Sequence, residues 1–289
     1  MLRLAVTTNS ETYRRIREPL EARDIAVEYV NESRIVDLST PTSDTFDTID
    51  EFDVGFVYPA RLQEGGVVDV LLDVPWVNDR ETVLRSRHKA EAIARLKRTG
   101  VATPRTVMVS SPVEEEELRA VFECFDPPVV VKPNSTTRGT GITKVSDLDS
   151  FLGVVDYLDL VHDYRATGDK SFLVQEYLPN ARDYRAMVID GQYVGAVERR
   201  LPDDAHTTRW KHNVHRGAQA VSVSLPMEYR HIAERTADVL DIPYLGVDLL
   251  VSEERALVNE TNARPTIDHA TKYEPNFYDD LAQLIRNRV

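Results

Sequence analysis

The sequence contains a single cysteine, Cys124, and no apolar run that approaches the roughly 20 residues needed to span a bilayer. One cysteine excludes an intrachain disulfide framework, and the apolar stretch after Met1 is too short for a secretory signal peptide. Both features predict a cytoplasmic protein without disulfides. Because Cys124 lies beside phenylalanines in a helical stretch, we expect it in the core rather than as a nucleophile.

Lysine is scarce, since only seven of the 35 basic residues are lysines. The 48 acidic residues outnumber the basic ones and give a net charge of −13. Nucleic-acid backbones and anionic lipids repel a chain this acidic, so we expect neither as a partner. Because lysines are rare, the position of each one is more informative about function than usual.

The chain is long and apolar enough for two domains, with 289 residues of which 42% are hydrophobic. Two apolar runs, Leu2–Thr8 and Ile25–Val30, flank the helical stretch Glu11–Arg23. This order predicts a strand–helix–strand unit in a parallel sheet. We therefore expect an α/β N-terminal domain over residues 1–87 and a second domain over residues 88–289.

Two subdomains are predicted within the second domain, at about 88–170 and 171–289. The first is a small antiparallel α+β unit that follows one charged helix from Glu81 to Thr99 and contains another from 112 to about 124, with Ser111 as its N-cap. The second is rich in strands and contains a hairpin at Asp190-Gly191, which is a strong two-residue turn signal.

A lysine at a strand end, followed by a glycine-containing loop, indicates phosphate binding. Lys132 ends an apolar run, and Gly139 and Gly141 lie in the loop after it. Backbone N–H groups of such a loop can approach phosphates closely, and the lysine can meet the same charge. The loop is not a P-loop, because the lysine precedes the glycines. A hairpin turn with a solvated lysine is the alternative.

Three oxygen-bearing side chains predict a cation site. Asp248 interrupts the apolar strand LGVDLLV, and Glu260 and Asn262 are two residues apart, so they point to the same face of a sheet. If the two strands are neighbours, these oxygens converge and suit a hard cation such as Mg²⁺ held between protein and nucleotide phosphates. The alternative is that both acids face solvent.

Polar residues that follow the strand SFLVQE predict further ligand contacts. Glu176 and Tyr177 lie in a connector whose backbone could hydrogen-bond a flat heterocycle, although an ordinary strand end would look the same. Asp183 and Arg185 come next, and Arg199, Arg200 and residues 211–217 add basic and amide donors after the hairpin. A solvated face is the alternative explanation for each of these charges.

In this order, the motifs resemble the ATP-grasp superfamily, and within it the ribosomal-S6-modification-type glutamate ligases related to glutathione synthetase. The resemblance covers about residues 55–270. Lys89 and Lys132 match the family's two nucleotide-binding lysines. FLVQEYL is similar to the adenine hinge, ARDYR to the Asp-x-Arg motif, KHNVHRGA to the Asn-x-His-Arg-Gly-Gly motif, and GVDLL with LVNETNARP to the metal-binding pair.

The resemblance implies an α/β N-terminal domain followed by an α+β ATP-grasp fold whose two subdomains clamp ATP. It implies an ATP-dependent ligase that joins a carboxylate to an amine through an acyl phosphate, with glutamate or another amino acid as the added group. Two Mg²⁺ ions, or Mn²⁺ in their place, are implied with ATP. The implied nucleotide-binding residues are Lys89, Lys132, Gly139, Gly141, Glu176, Tyr177, Asp183, Lys211, His212 and Asn213. The implied catalytic residues are Arg185, Lys211 and Arg216, and the implied metal ligands are Asp248, Glu260 and Asn262.

Three positions depart from the family pattern. His88 stands where relatives usually have Asp, Ala218 replaces a glycine, and Arg264 stands where relatives commonly have Ser. We expect Arg264 to bind a carboxylate of the substrate besides the one that is activated, because a guanidinium can hold one bidentately. A surface arginine paired with Asp268 or another acid is the alternative. An ATP-grasp kinase or a regulatory ATP-binding protein without turnover would share the nucleotide residues, and the sequence leaves a homo-oligomer open.

Overall fold

The structure is a computed structural model that describes residues 1–8, 11–30, 52–136, 140–161, 169–201, 210, 217–252 and 255–289. Within them the chain forms strands and helices that alternate at first and then become rich in strands. The strands are β1 (Leu2–Val6), β2 (Ile25–Tyr29), β3 (Val54–Phe56), β4 (Trp76–Val77), β5 (Thr106–Ser110), β6 (Val129–Pro133), β7 (Thr143–Val145), β8 (Ser171–Glu176), β9 (Arg182–Ile189), β10 (Gln192–Arg200), β11 (Gln219–Val223), β12 (Tyr244–Val251) and β13 (Ala256–Asn262). The helices are α1 (Glu11–Glu21), α2 (Leu62–Leu72), α3 (Arg80–Arg87), α4 (Lys89–Arg98), α5 (Glu115–Glu123), α6 (Leu148–Val161), α7 (Met227–Leu240) and α8 (Phe277–Arg286).

The N-terminal sheet is parallel and has the strand order β2-β1-β3-β4. Its central strands are buried except at the start of β1, because α1 and the C-terminal helix α8 supply apolar side chains to the same core. Ile16 of α1 and Leu281 of α8 are both completely buried there. The predicted strand–helix–strand unit and its parallel pairing are confirmed.

The second sheet is antiparallel and has the order β5-β8-β6-β7. Helices α5 and α6 cover it, and the rings of Phe122 and Phe151 meet between them at a centroid distance of 5.3 Å. Strand β8 pairs with both β5 and β6, so the subdomain boundary expected between residues 170 and 171 cuts through this sheet. Strand β8 belongs to this sheet up to Glu176, because its apolar residues are buried between β5 and β6.

The third sheet is also antiparallel and has the order β11-β10-β9-β12-β13. Asp190 and Gly191 both have positive φ angles, as a two-residue hairpin turn requires, which confirms the predicted hairpin between β9 and β10. The pairing register shifts by one residue between Tyr193 and Gly195. Helix α7 packs on this sheet through buried alanines and Leu240.

Two helices differ from the sequence prediction. The charged stretch 81–99 forms α3 and α4, which are separated at His88, and the Nδ1 of His88 accepts a hydrogen bond from the N–H of Glu91 as the N-cap of α4. The helix expected from 112 begins at Glu115, because the N–H of Ser111 still bonds the carbonyl of Lys170 in continuation of the β5–β8 pairing.

The N-terminal sheet is attached to the third sheet through Asn78. Its side-chain amide donates to the carbonyls of Tyr244 and Ala263, both at 2.7 Å, and its Oδ1 accepts from the N–H of Tyr244. Asn78 is only 2% exposed, so these bonds are made without competing water.

Cys124 is exposed, so the expectation that it lies in the core is wrong. Among the described residues, no helix is both long and apolar enough to cross a membrane.

Candidate active site

A cavity of about 580 Å³ lies between the second and third sheets. One end is charged and is lined by residues that include Lys132, Asp183, Arg199, Asp248 and Glu260. Apolar residues, which include Val130, Ile142, Leu178 and Leu250, also line the cavity, and we call the region around Ile142 and Leu178 its apolar end, although Glu176 lies there as well. A ligand that fills the cavity therefore meets both charged and apolar side chains.

Lys132 is buried at the charged end, with 2% of its surface exposed. Its Nζ donates to the side-chain carbonyls of Gln175 at 2.9 Å and Asn259 at 3.4 Å. Burial lowers the pKa of Lys132 from 10.5 to about 8, although the negative charge of Glu260 opposes this effect. Among the residues that the structure describes, its hydrogen-bond partners are thus neutral amides, and its positive charge faces the cavity.

Lys89 lies at the first position of α4, and its ammonium group is also buried. Its Nζ contacts the backbone carbonyl of Thr136 at 2.5 Å, the carbonyl of Asn134 at 3.4 Å and Oε1 of Glu260 at 3.4 Å. These contacts link α4 to the loop after β6 and to β13. Gly141, at the end of that loop, packs closely against Pro133 of β6. Only glycine suits this position, because its φ is +77° and a Cβ there would lie 2.8 Å from the Pro133 side chain.

Two arginines hold the carboxylate of Asp248. Arg185 binds it bidentately, through Nε at 2.7 Å and Nη2 at 2.9 Å, and Nη2 of Arg199 adds a third contact at 2.9 Å. Burial raises the pKa of Asp248, but the two guanidinium groups outweigh burial and hold it below its usual value.

Arg199 also binds Asp183, through Nε at 2.9 Å and through Nη2. Burial and the nearby charge of Asp248 raise the pKa of Asp183 to about 6, against the lowering effect of Arg199. Arg199 therefore joins strands β9, β10 and β12 at the floor of the charged end.

The three predicted metal ligands lie on neighbouring strands. Asp248 pairs directly opposite Glu260, and Asn262 lies opposite Gly246 on the same two strands. Oδ1 of Asn262 accepts a hydrogen bond from the N–H of Arg264 at 2.9 Å. Within the described ranges, no three Asp, Glu, His or Cys side chains are placed to hold an ion by themselves. The oxygen donors fit a hard cation whose remaining ligands come from elsewhere, such as phosphate oxygens.

Five carboxylates line the cavity, and each is bound by at least one basic side chain. The pairs are Glu176 with Arg255, Asp183 with Arg199, Glu198 with Arg182 and Arg200, Asp248 with Arg185 and Arg199, and Glu260 with Lys89. Three of these six basic partners, Arg182, Arg199 and Arg200, line the cavity themselves, and the other three bind lining carboxylates from outside the lining. Together with Lys132, the seven basic groups exceed the five acids. In a chain of net charge −13, the walls of this cavity are therefore suited to an anion.

The predicted adenine hinge lies at the apolar end. The carboxylate of Glu176 accepts from the backbone N–H of Arg105 at 2.7 Å and from the guanidinium of Arg255, so it is already engaged by the protein. These hydrogen bonds outweigh burial and hold the pKa of Glu176 below its usual value. Tyr177 follows and lines the cavity with its ring.

Several predicted site residues lie outside the described residues. They are Gly139, Lys211, His212, Asn213 and Arg216. Their proposed contacts with nucleotide and substrate remain predictions from the sequence.

The sequence indicates Arg199 only as one of several basic residues after the hairpin. Its partners Asp183 and Asp248 were not predicted, and the reason is the register shift in β10. An uninterrupted hairpin from Asp190-Gly191 would place Arg199 opposite Arg182. The shift at Gly195 instead pairs Glu198 with Tyr184 and brings Arg199 to Asp183. Gly195 has a φ of +135°, and its Cα lies so close to Tyr273 that a Cβ would be 2.7 Å from the Tyr273 Cα. This glycine inside a strand is the one sequence signal for the bulge.

Two antiparallel sheets that enclose a cavity lined by charged side chains of both signs, after a parallel α/β domain, define the fold as that of ATP-grasp proteins. A crystal structure of a RimK domain ATP-grasp protein from Sphaerobacter thermophilus DSM 20745 superposes with a TM-score of 0.70 and 19% identity, and the match covers 99% of each chain. D-alanine–D-alanine ligase from Bacillus anthracis, complexed with ATP, gives a TM-score of 0.67 at 16% identity and covers 100% of this chain and 97% of that one.

The family model described as the RimK-like ATP-grasp domain matches residues 86–285, and the chain belongs to this family. A probable alpha-L-glutamate ligase of Legionella pneumophila (strain Corby) is 30% identical over 198 residues, which are 68% of this chain and 61% of that protein. A second protein of the same description, from Stenotrophomonas maltophilia (strain K279a), is 30% identical over 193 residues, or 66% and 62% of the two chains. The chain thus matches less than two thirds of the length of these relatives.

Proposed function

We propose that this protein is an ATP-dependent carboxylate–amine ligase that forms an amide bond through an acyl-phosphate intermediate. Buried Lys132 is the observation that carries the proposal. A buried ammonium with neutral partners has a lowered pKa, and an anion in the cavity would restore the stability of its charged form. The polyphosphate of ATP supplies that charge at one end of the cavity, and its base suits the apolar end.

Cation binding is proposed at Asp248, Glu260 and Asn262. Both carboxylates already have basic partners, so a divalent ion alone would meet little uncompensated negative charge. The ion would therefore bind together with the nucleotide, whose phosphate oxygens complete its ligand set. Mg²⁺ supplies neutralisation of the phosphate charge during transfer.

The chain's own residues would act by positioning and charge stabilisation. A carboxylate oxygen of the substrate attacks the γ-phosphorus, and ADP leaves. The amine of the second substrate then attacks the acyl carbon and loses a proton, and phosphate leaves with the oxygen that came from the carboxylate. Arg185 and Arg199, which both bind Asp248, would stabilise the negative charge that develops in both steps.

Glutamate, or another amino acid, is the proposed amine substrate, because the relatives in Legionella and Stenotrophomonas are described as probable alpha-L-glutamate ligases. Arg264 follows Asn262 at the end of β13 and is partly buried. We propose that its guanidinium binds a second carboxylate of the carboxylate substrate, besides the one that is activated. Arg264→Ser should then raise the KM for the carboxylate substrate more than the KM for ATP, and equal changes in both would contradict this role.

The test of the function is a screen of carboxylates with amino acids, glutamate included, for Mg²⁺-dependent release of ADP and phosphate. Mass spectrometry should find an amide product in each active mixture. A phosphorylated substrate without free phosphate would identify a kinase instead. ATP binding without turnover in any mixture would favour a regulatory nucleotide-binding protein.

A further inference from the structure

A lysine and two aromatic rings meet at the apolar end of the cavity. The Nζ of Lys144 lies 4.7 Å from the ring centroid of Tyr177 and 5.7 Å from that of Trp210. The two rings contact each other edge to face, with centroids 5.9 Å apart. The three residues come from β7, from the connector after β8 and from position 210, so the fold brings together parts of the chain that are distant in sequence.

This cluster does not resemble a structural core. Lys144 is exposed, and both rings are only partly buried. Tyr177 and Trp210 line the cavity together with apolar side chains such as Ile142 and Leu178. A cation held against ring faces fixes the orientation of the rings before any ligand arrives.

We propose that Lys144, Tyr177 and Trp210 form the outer wall of the base pocket and that Trp210 contacts the base of the bound nucleotide. The inference rests on the proposed function, because it requires that a nucleotide occupies the cavity. An aromatic ring offers a face to any base, and the ammonium of Lys144 can donate to a ring nitrogen of a purine. The charged end of the cavity would hold the phosphates in the same complex.

Tryptophan fluorescence tests this contact directly, because the chain has only two tryptophans. The other one, Trp76, is 5% exposed in the N-terminal domain and donates from Nε1 to Asp69 at 2.7 Å. We expect ATP and ADP to change the emission of the wild type but not that of Trp210→Phe. Inorganic tripolyphosphate, which lacks a base, should leave both unchanged while it competes with ATP in calorimetry.

Two outcomes would overturn the inference and leave the proposed function standing. One is that calorimetry detects ATP binding but the tryptophan emission of the wild type does not change, and the other is that ATP changes the emission of Trp210→Phe as much as that of the wild type. If calorimetry detects no ATP binding to the wild type, the proposed function fails and the inference fails with it.

The ATP affinity of further variants measures the contribution of each group. Trp210→Ala and Lys144→Met should each weaken ATP roughly tenfold, the range for loss of one base contact, and leave tripolyphosphate affinity unchanged. Trp210→Phe should restore most of the ATP affinity, and equal losses for ATP and tripolyphosphate would contradict a contact with the base.

Discussion

Replacement of Lys132 by methionine separates the stability of the free protein from its affinity for nucleotide. Burial lowers the pKa of this lysine from 10.5 to about 8, which corresponds to roughly 3 kcal/mol by which the fold disfavours the charged form. Lys132→Met removes this cost. It also leaves the side-chain oxygens of Gln175 and Asn259 without a hydrogen-bond donor, and each unsatisfied oxygen destabilises the fold by about 1–3 kcal/mol unless water takes the place of the ammonium group. Because both residues border the cavity, water can reach them, and we expect a free energy of unfolding within about 2 kcal/mol of wild type.

The same change should greatly weaken ATP binding. A hydrogen bond between an ammonium and a phosphate contributes about 1.5–3 kcal/mol, so the Kd of Lys132→Met should rise roughly 10- to 100-fold. The control is Arg98→Met, which removes an exposed basic side chain from the end of α4 and should leave the Kd unchanged. Lys144 is an unsuitable control, because it contacts Tyr177 at the apolar end of the cavity.

The pH dependence provides an independent check. In the free protein Lys132 loses its charge as pH rises through about 8, whereas bound phosphate favours the charged form. Above pH 8, ATP binding should therefore take up a proton and weaken as pH rises. Because the folded pKa lies below the unfolded one, the free wild type should gain stability relative to Lys132→Met as pH rises from about 8 towards 10.5, and the difference should be constant below pH 8.

Calorimetry of ATP binding at pH 7 and pH 9, in two buffers of different ionisation enthalpy, measures the affinity and the proton uptake together. The reasoning would be refuted if Lys132→Met bound ATP as tightly as wild type. It would also be refuted if wild type took up no proton at pH 9.

Three other changes test the ion network, the domain contact and the bulge. Asp248→Asn and Glu260→Gln should each abolish Mg²⁺-dependent ADP release. Only the first should lower the free energy of unfolding strongly, by about 3 kcal/mol, because it deprives two partly buried arginines of a carboxylate that is itself buried. Asn78→Ala should cost about 2–4 kcal/mol in denaturant unfolding, since it leaves three buried backbone groups unpaired, and a loss below 1 kcal/mol would contradict this. Gly195→Ala should lower the free energy of unfolding by about 1–3 kcal/mol, because a Cβ there collides with Tyr273. It should also weaken ATP binding, because the collision disturbs the register that brings Arg199 to Asp183. An unchanged free energy of unfolding and an unchanged ATP affinity would show that the bulge tolerates a side chain.

Much of the site was predictable because its signals are local. A lysine that ends an apolar run, and acids that interrupt one, can be recognised within a few residues of sequence. Lys132 and Asp248 are of this kind, and both line the cavity. The sequence also predicted that Asp248 and Glu260 come close together if their strands are neighbours, and the two residues pair directly across β12 and β13.

Other features depended on contacts between distant parts of the chain. The register of β10 is set where Gly195 packs against Tyr273, so the partners of Arg199 could not be deduced from the turn alone. The break between α3 and α4 occurs at His88, whose Nε2 lies 2.8 Å from the side-chain amide of Asn134 in the loop after β6. Helix periodicity runs through both helices and gives no sign of this break.

The most direct test of amide ligation through an acyl phosphate follows the oxygen atoms of the carboxylate substrate. A substrate found in the screen is labelled with ¹⁸O in its carboxylate and incubated with the amine, ATP and Mg²⁺. Mass spectrometry should then show one ¹⁸O atom in the released phosphate for each amide formed, because the acyl phosphate loses that oxygen to phosphate when the amine attacks. Phosphate without ¹⁸O, or a phosphorylated substrate in place of the amide, would contradict the proposed ligase.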